Sequence, residues 1–291
     1  MILITTALYC EAQPLIRYFQ LKKDMSFTRF QVFRNEDILL LITGTGSMQA
    51  AIAASSVCSL IPPSRQDLFL NIGVCGLSKN SSPAGSVFLG NKIVEISTGR
   101  SFYPDLIYSH PFLESTILTS PSIVRKTADG TGFGLDSYKT EDYFGKAYLI
   151  DMEAAGFYQA SSCFYRPHQL FFIKIVSDFL EVSNITPKAI TELIMSKVPQ
   201  ITGWIQELHE EMSIYQNLFT AKEEDYIIKL SQRLQLTASL ELQLRQLLKY
   251  VKLQEGSFKA ALDLFLQNQN LPCKTKTEGK KYLEQIKQLF L

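Results

Sequence analysis

Apolar residues are spread along this chain in two textures. Up to about residue 212, short apolar runs alternate with stretches at helical spacing. From about 215 onward only the helical spacing remains. The clearest run is 170–177, in which six apolar residues surround Lys174 and give way to Ser177 and Asp178. A run this short and apolar predicts a strand buried on both faces. The runs at 2–7, 68–72 and 147–150 predict further buried strands. Those at 30–33 and 38–43 predict a hairpin across the polar turn Arg34-Asn-Glu-Asp37. Two more short strands are expected at 86–89 and 93–96. Helical spacing predicts helices at 11–20, with Pro14 in the first turn, at 47–60, stopped by Pro62-Pro63, at 153–164 and at 187–212. Residues 99–145, rich in Gly, Ser, Asp, Tyr and Pro, read as long loops with short elements, a texture often functional.

Alternating strands and helices predict an α/β fold, a three-layer α/β/α domain on a mixed sheet. The second texture predicts a small C-terminal all-helical domain, with helices at 222–254, 257–268 and 280–291. The expected division is 1–213 and 214–291. Formal net charge is +1, which gives no whole-molecule field toward nucleic acid or membrane. The charge is uneven, however. Residues 1–220 carry 17 Lys or Arg against 20 Asp or Glu, net −3, and residues 221–291 carry 12 against 8, net +4. A mildly basic helical tail is most simply a solvated face over a small core.

Five widely spaced cysteines without a C-x-x-C motif argue against a disulfide framework or a zinc site and for a reducing, cytoplasmic setting. Three scattered histidines suggest no metal centre, and neither metal nor organic cofactor is expected. No apolar stretch has the length of a membrane span, and the first residues lack the basic region of a signal peptide.

The candidate chemistry lies where predicted strands end. Gly44-Thr-Gly46 and Gly73-Val-Cys-Gly76 each follow a strand, where glycine lets backbone approach a ligand. Gly44-Thr-Gly46 lacks the third glycine of a dinucleotide fingerprint and the Gly-Lys-Ser/Thr ending of a P-loop. Glu11 follows the first strand, Asp151-Met152-Glu153 another, and Ser177-Asp178 ends the run at 170–177. Each also reads plainly as a tight turn, a helix cap or first-turn helix charge. Convergence of Glu11, Glu153 and Asp178 would place an acid, a base and a hydroxyl-binding group in one pocket.

Read in order, these segments resemble the nucleoside phosphorylase and nucleosidase superfamily, most closely its methylthioadenosine/S-adenosylhomocysteine nucleosidases, with futalosine hydrolase a near relative. The matching segments are Ala7-Leu-Tyr-Cys-Glu11, Gly44-Thr-Gly-Ser-Met-Gln-Ala-Ala51, Asn71-Ile-Gly-Val-Cys-Gly76, Asp151-Met-Glu-Ala-Ala155 and Ile175-Val-Ser-Asp178. They span residues 1–210; residues 215–291 have no counterpart. The resemblance implies that Asp178 protonates or hydrogen-bonds N7 of a purine, with Ser177 beside it. It implies that Glu153 holds the ribose hydroxyls, that Met152 packs on the sugar and that Glu11 activates water. Gly46, Gly73 and Val74 would belong to the glycine segments that line the substrate. A purine-stacking segment would fall within 125–140, with Phe133 its candidate. Relatives are usually dimers or hexamers in which a neighbouring subunit completes the pocket, so a homo-oligomer acting on a small-molecule nucleoside is implied.

The chain departs from the pattern at three places. Thr5-Thr-Ala-Leu8 lacks the glycine and arginine of a phosphate loop, Val74 stands where a hydroxyl residue is usual, and Lys174 stands where an arginine is frequent. Loss of phosphate contacts favours water as nucleophile. Phosphorolysis, or a nucleoside-binding module without turnover, are the competing readings.

Overall fold

The structure, a computed structural model, describes residues 1–64, 66–126, 132–133, 147–181, 185–216 and 218–290. The described chain forms two compact units, Met1–Glu210 and Glu211–Leu291.

The first unit is built on a ten-stranded mixed sheet. Its strands are β1 (Ile2–Thr6), β2 (Lys22–Lys23), β3 (Gln31–Arg34), β4 (Ile38–Ile42), β5 (Leu68–Leu77), β6 (Val87–Glu95), β7 (Ser101–Phe102), β8 (Leu113–Thr119), β11 (Leu149–Asp151) and β12 (Leu170–Asp178). Strands β9 (Arg125–Lys126) and β10 (Gly132–Phe133) form a separate two-stranded ribbon. Strand β5 takes three partners: β1 along Leu68–Asn71, β12 along Phe69–Gly76 and β11 at Gly76 and Leu77. Because β12 continues to β6, β6 to β8 and β8 to β11, the strands β5, β12, β6, β8 and β11 close into a ring. From β5 the sheet runs on, open, through β1, β4, β3 and β2.

Strand β1 is buried along its whole length, as are the first seven residues of β12, as expected of strands covered on both faces. Helix α1 (Tyr9–Tyr18) packs on β1, β4 and β5. Helices α2 (Ser47–Leu60) and α3 (Ala154–Ser161) pack on each other, and α3 also packs on β5, β6, β8 and β12. One core cluster of these elements gathers Leu3, Leu41, Ala53, Phe69, Phe157 and Phe172. Helix α4 (Pro187–Gln216) follows β12.

Several elements differ from the sequence expectation. Helix α1 starts two residues early, so Pro14 lies inside it rather than in its first turn. The Cys10 carbonyl that proline leaves unbonded lies 3.0 Å from the Thr191 hydroxyl of α4. The segments at 86–89 and 93–96 are one strand, β6, with a register shift between Gly90 and Lys92 against β8. Strand β8 itself lies within the expected loop region, and Gly73–Gly76 is not a turn but the continuation of β5.

The second unit contains α5 (Ala221–Arg233), α6 (Ala238–Glu255), α7 (Lys259–Gln267) and α8 (Lys276–Phe290). The expected single helix at 222–254 is thus two, and the second ends at Gly256 in a left-handed C-cap. Thr220 and Glu223 form a reciprocal capping box at the start of α5. The core gathers Ile227, Leu230, Leu244, Leu248, Leu283 and Ile286. Lys229, Arg245, Lys252 and Lys287 each pair with a carboxylate of the same unit.

A candidate active site of convergent carboxyl groups

Glu11 lies in the first turn of α1, buried to 3% exposure. Its Oε2 accepts the backbone N–H groups of Ala7 and Leu8 at 2.9 Å each, and its Oε1 accepts that of Val74 at 2.9 Å. A Cβ at residue 73 would come within 2.9 Å of Oε1, so glycine is what lets β5 pass this close to the carboxylate. Despite three donors and the nearby Lys174 ammonium, burial prevails and raises the proton affinity of Glu11 above the ordinary carboxylate range.

Glu153 is the N-cap of α3, and its Oε1 accepts the N–H of Gly46 at 2.9 Å. Gly46 is itself the N-cap of α2, at φ 105°, and Gly44 has φ 82°. Both values lie in the region that only glycine adopts readily, which explains the glycine pair. Burial, reinforced by the Asp151 charge, raises Glu153 to about 7.

Asp151, at the end of β11, is fully buried and completely engaged. Its Oδ2 accepts from Ala154 N at 2.8 Å and lies 2.7 Å from Lys174 Nζ, and its Oδ1 accepts from the Thr119 hydroxyl at 2.7 Å. Lys174 also donates to Asn71 Oδ1 at 2.7 Å. At the end of β12, Asp178 Oδ1 accepts the Leu180 N–H at 2.9 Å and Oδ2 lies 2.7 Å from the Ser177 hydroxyl, which also lies 3.1 Å from the Cys75 carbonyl. Leu180, whose N–H makes this bond, has φ 64°, an uncommon conformation for leucine.

These groups surround one cavity of about 260 Å³. Glu11, Val74, Met152, Glu153, Ser177 and Asp178 all line it. Gly46 and Gly73 stand behind the wall, the first donating to Glu153 and the second making room for Glu11. Phe133 falls in β10 and its side chain lies outside the described residues. The segment that does line the cavity is Ser122, Ile123 and Val124, just upstream of 125–140. With Ile150 and Leu180, Val124 belongs to a small aliphatic cluster beside Asp178. Sequence reading missed this wall because it missed β8. The signal was a strand that ends in Thr119-Ser-Pro-Ser122, the same polar strand-end pattern seen at the other candidate positions. Four acidic residues, Glu11, Asp151, Glu153 and Asp178, line the cavity, Asp151 with its carboxyl fully buried, and no lysine or arginine lines it among the described residues.

The raised Glu153 has a measurable consequence for stability. A carboxyl that binds its proton more tightly folded than unfolded stabilises the fold at low pH and loses that contribution as pH rises. Between its ordinary value near 4.5 and about 7, Glu153 is expected to withdraw about 3 kcal/mol. Urea unfolding from pH 4.5 to 7.5 should show the decline, and Glu153→Gln should flatten it; an unchanged slope in the variant would contradict the assignment.

No protein-family model and no curated protein matches the chain. Among solved structures, it is similar to the 5′-methylthioadenosine/S-adenosylhomocysteine nucleosidase of Neisseria meningitidis in complex with methylthio-immucillin-A. Identity is 17%, 69% of this chain and 97% of that one are covered, and the TM-score is 0.55. The nucleosidase of S. pneumoniae with a transition-state inhibitor is 15% identical over 69% of this chain and 96% of its own, TM-score 0.55. The futalosine hydrolase of Helicobacter pylori is 13% identical over 71% and 97%, TM-score 0.55. At these identities the comparison bears on architecture alone, and it shows that this chain carries the same α/β fold as these solved nucleosidases.

Proposed function

We propose that the chain hydrolyses the N-glycosidic bond of a purine nucleoside or a 5′-modified purine nucleoside, with all the catalytic groups drawn from residues 1–213. The observation that carries this reading is the convergence of Glu11, Glu153 and Asp178 on one cavity. Asp178, beside the aliphatic wall of Val124, Ile150 and Leu180, donates a proton or hydrogen bond to N7, so that the base can leave with the C1′–N9 electron pair. Its Oδ1 accepts the Leu180 N–H and its Oδ2 the Ser177 hydroxyl, and these two bonds fix the orientation of the carboxyl. Glu153 takes the ribose hydroxyls through Oε2, since Oε1 is committed to Gly46. Positive charge that develops on the ribose is met by the carboxylates around it. Glu11 accepts a proton from water as the water oxygen bonds to C1′. Its backbone donors and buried setting supply the fixed orientation and proton affinity that a general base needs.

The charge of the wall favours water over phosphate. A phosphate dianion placed there would meet carboxyl groups without a cation on the described surface. Val74 offers its N–H to Glu11 and has no hydroxyl to offer an anion. The implied homo-oligomer and cytoplasmic setting belong to this same reading.

The test is base release from adenosine, inosine, methylthioadenosine, S-adenosylhomocysteine and futalosine, with and without phosphate. Release from at least one without phosphate, abolished in Asp178→Asn, is the expected result. Strictly phosphate-dependent release would establish phosphorolysis instead. Ligand-induced melting shifts without any product would favour a binding module.

A further inference from the structure

Lys174 is the one charged residue in the middle of an otherwise apolar buried strand, and it is 1% exposed. A lone ammonium at such a depth is costly, and a lysine is retained there only when it is paired and hydrogen-bonded. Both conditions are met, because Nζ lies 2.7 Å from Asp151 Oδ2 and 2.7 Å from Asn71 Oδ1. Neither partner is free to move. Asn71 is on β5 and donates to the Thr5 hydroxyl of β1 at 3.2 Å. Asp151 is on β11 and is also held by Thr119 of β8 and by the start of α3. Lys174 is thus held between Asn71 of β5 and Asp151 of β11, and on β12 it stands in register with Gly73, the residue that makes room for the Glu11 carboxylate. The titratable groups that face it are Asp151 from β11, Glu153 from the start of α3, Glu11 from α1, and Cys75 from β5. Asp178 stands farther along its own strand and acts on Cys75.

We propose that Lys174 is a positioning residue. Its buried ammonium, fixed by Asp151 and Asn71, is the charge that keeps Glu11 ionised beside Glu153 and so sets the pH at which the cavity can activate water. The reasoning is one of charge balance. At Glu11 the ammonium favours the ionised carboxylate, whereas at Glu153 the neighbouring Asp151 charge outweighs it. Without Lys174, Glu11 and Glu153 would be buried beside Asp151 with no counter-charge from this lysine, and Glu11 would take up a proton more readily. Protonated Glu11 cannot accept a proton from water. Asp151 has the converse part: it holds Lys174 in place and shares its charge, so that the ammonium forms no direct pair with either catalytic glutamate. The rate consequence rests on the nucleosidase reading, but the effect on ionisation does not.

The decisive measurement is the titration of Glu11 by carboxyl ¹³C NMR in the full chain, with resonances assigned through Glu11→Gln and Glu153→Gln. In Lys174→Met the Glu11 midpoint should rise by about 1–3 pH units. The acid limb of base release should move with it, and Lys174→Arg should return both toward wild type. Asp151→Asn should lower the Glu11 midpoint, because the ammonium is then unshared. That second variant decides the matter if Lys174→Met does not fold. A Glu11 midpoint unmoved in Lys174→Met, or unmoved or raised in Asp151→Asn, would overturn the proposal even if activity fell, leaving Lys174 a structural brace only. If no nucleoside in the panel is cleaved, the nucleosidase reading fails while the midpoints still decide this one.

Discussion

Glu11→Gln is expected to remain folded and to release base about 10²–10⁴ times more slowly than the parent chain. The loss follows from chemistry, because an amide cannot take a proton from water at any pH of interest. The folded state follows from two opposing terms. Glu11 accepts three backbone N–H groups on two oxygens, two on Oε2 and one on Oε1. A glutamine has only one acceptor oxygen, so its NH₂ must face either Val74 N–H or the Ala7 and Leu8 pair, a donor against a donor. That mismatch costs about 1–3 kcal/mol. Against it stands the burial of a charge that the protein no longer has to keep from water, the same burial that raises the proton affinity of Glu11. The melting temperature should therefore move by only a few degrees while the rate collapses. Glu11→Asp separates basicity from reach: the carboxylate survives but is one methylene short of Val74 N and of the water. Activity within a few-fold of the parent in Glu11→Gln would remove Glu11 from the chemistry and with it the proposed route for water.

How much of this was legible in the sequence depends on whether the signal was local. Helix α2 could be placed residue for residue, because Gly46 and Pro62-Pro63 mark its ends by backbone geometry alone. Strand β12 was legible because it is covered on both faces and its apolar run is nearly unbroken. Strand β8 was not, since Leu113-Glu-Ser-Thr-Ile-Leu-Thr119 begins with exposed and polar residues and becomes a strand through its pairing with β6 and β11. A strand made by its neighbours has little signature of its own. The same reason hid the ring closure: Gly73 and Gly76 look like turn residues, and nothing local says that β11 will pair antiparallel at Gly76 and Leu77.

The site divides in the same way. Glu11, Glu153 and Asp178 could be singled out because each ends a strand or follows one closely, and the structure brings all three to one cavity. The aliphatic wall of Val124 and Leu180 was hidden with β8 and with the left-handed turn at Leu180. Lys174 was noticed as the one charge in an apolar run and as a departure from an arginine pattern, but not for its partners. Its pairing with Asp151 joins residues 23 positions apart, and its bond to Asn71 joins residues 103 apart. No periodicity reports contacts of that range.

Gly156→Ala is expected to cost about 3 kcal/mol or more of stability and to slow base release together with it. Gly156 lies in the first turn of α3 where that helix meets the start of α2. A Cβ built there falls 1.9 Å from the Ser47 carbonyl oxygen and 2.6 Å from its carbonyl carbon. The obstacle is backbone, so no rotamer change relieves it and the two helices must move apart. What moves is also part of the site. Gly46 caps α2 and donates to Glu153 Oε1 at 2.9 Å, and Glu153 caps α3. Separating the helices by even an ångström breaks that bond and lets the ribose-side carboxylate swing. A single methyl group, placed outside the cavity, should thus lower thermal stability and the rate of a reaction it never touches. Gly203→Ala supplies the contrast. Gly203 lies within α4, a Cβ there meets nothing within 4 Å, and alanine should stabilise by about 0.5–1 kcal/mol through the reduced freedom of the unfolded chain. Urea melts of the two variants, read beside their rates of base release, test the argument. If Gly156→Ala melts like the parent, α2 and α3 do not approach this closely, and the Gly46–Glu153 bond loses its structural support.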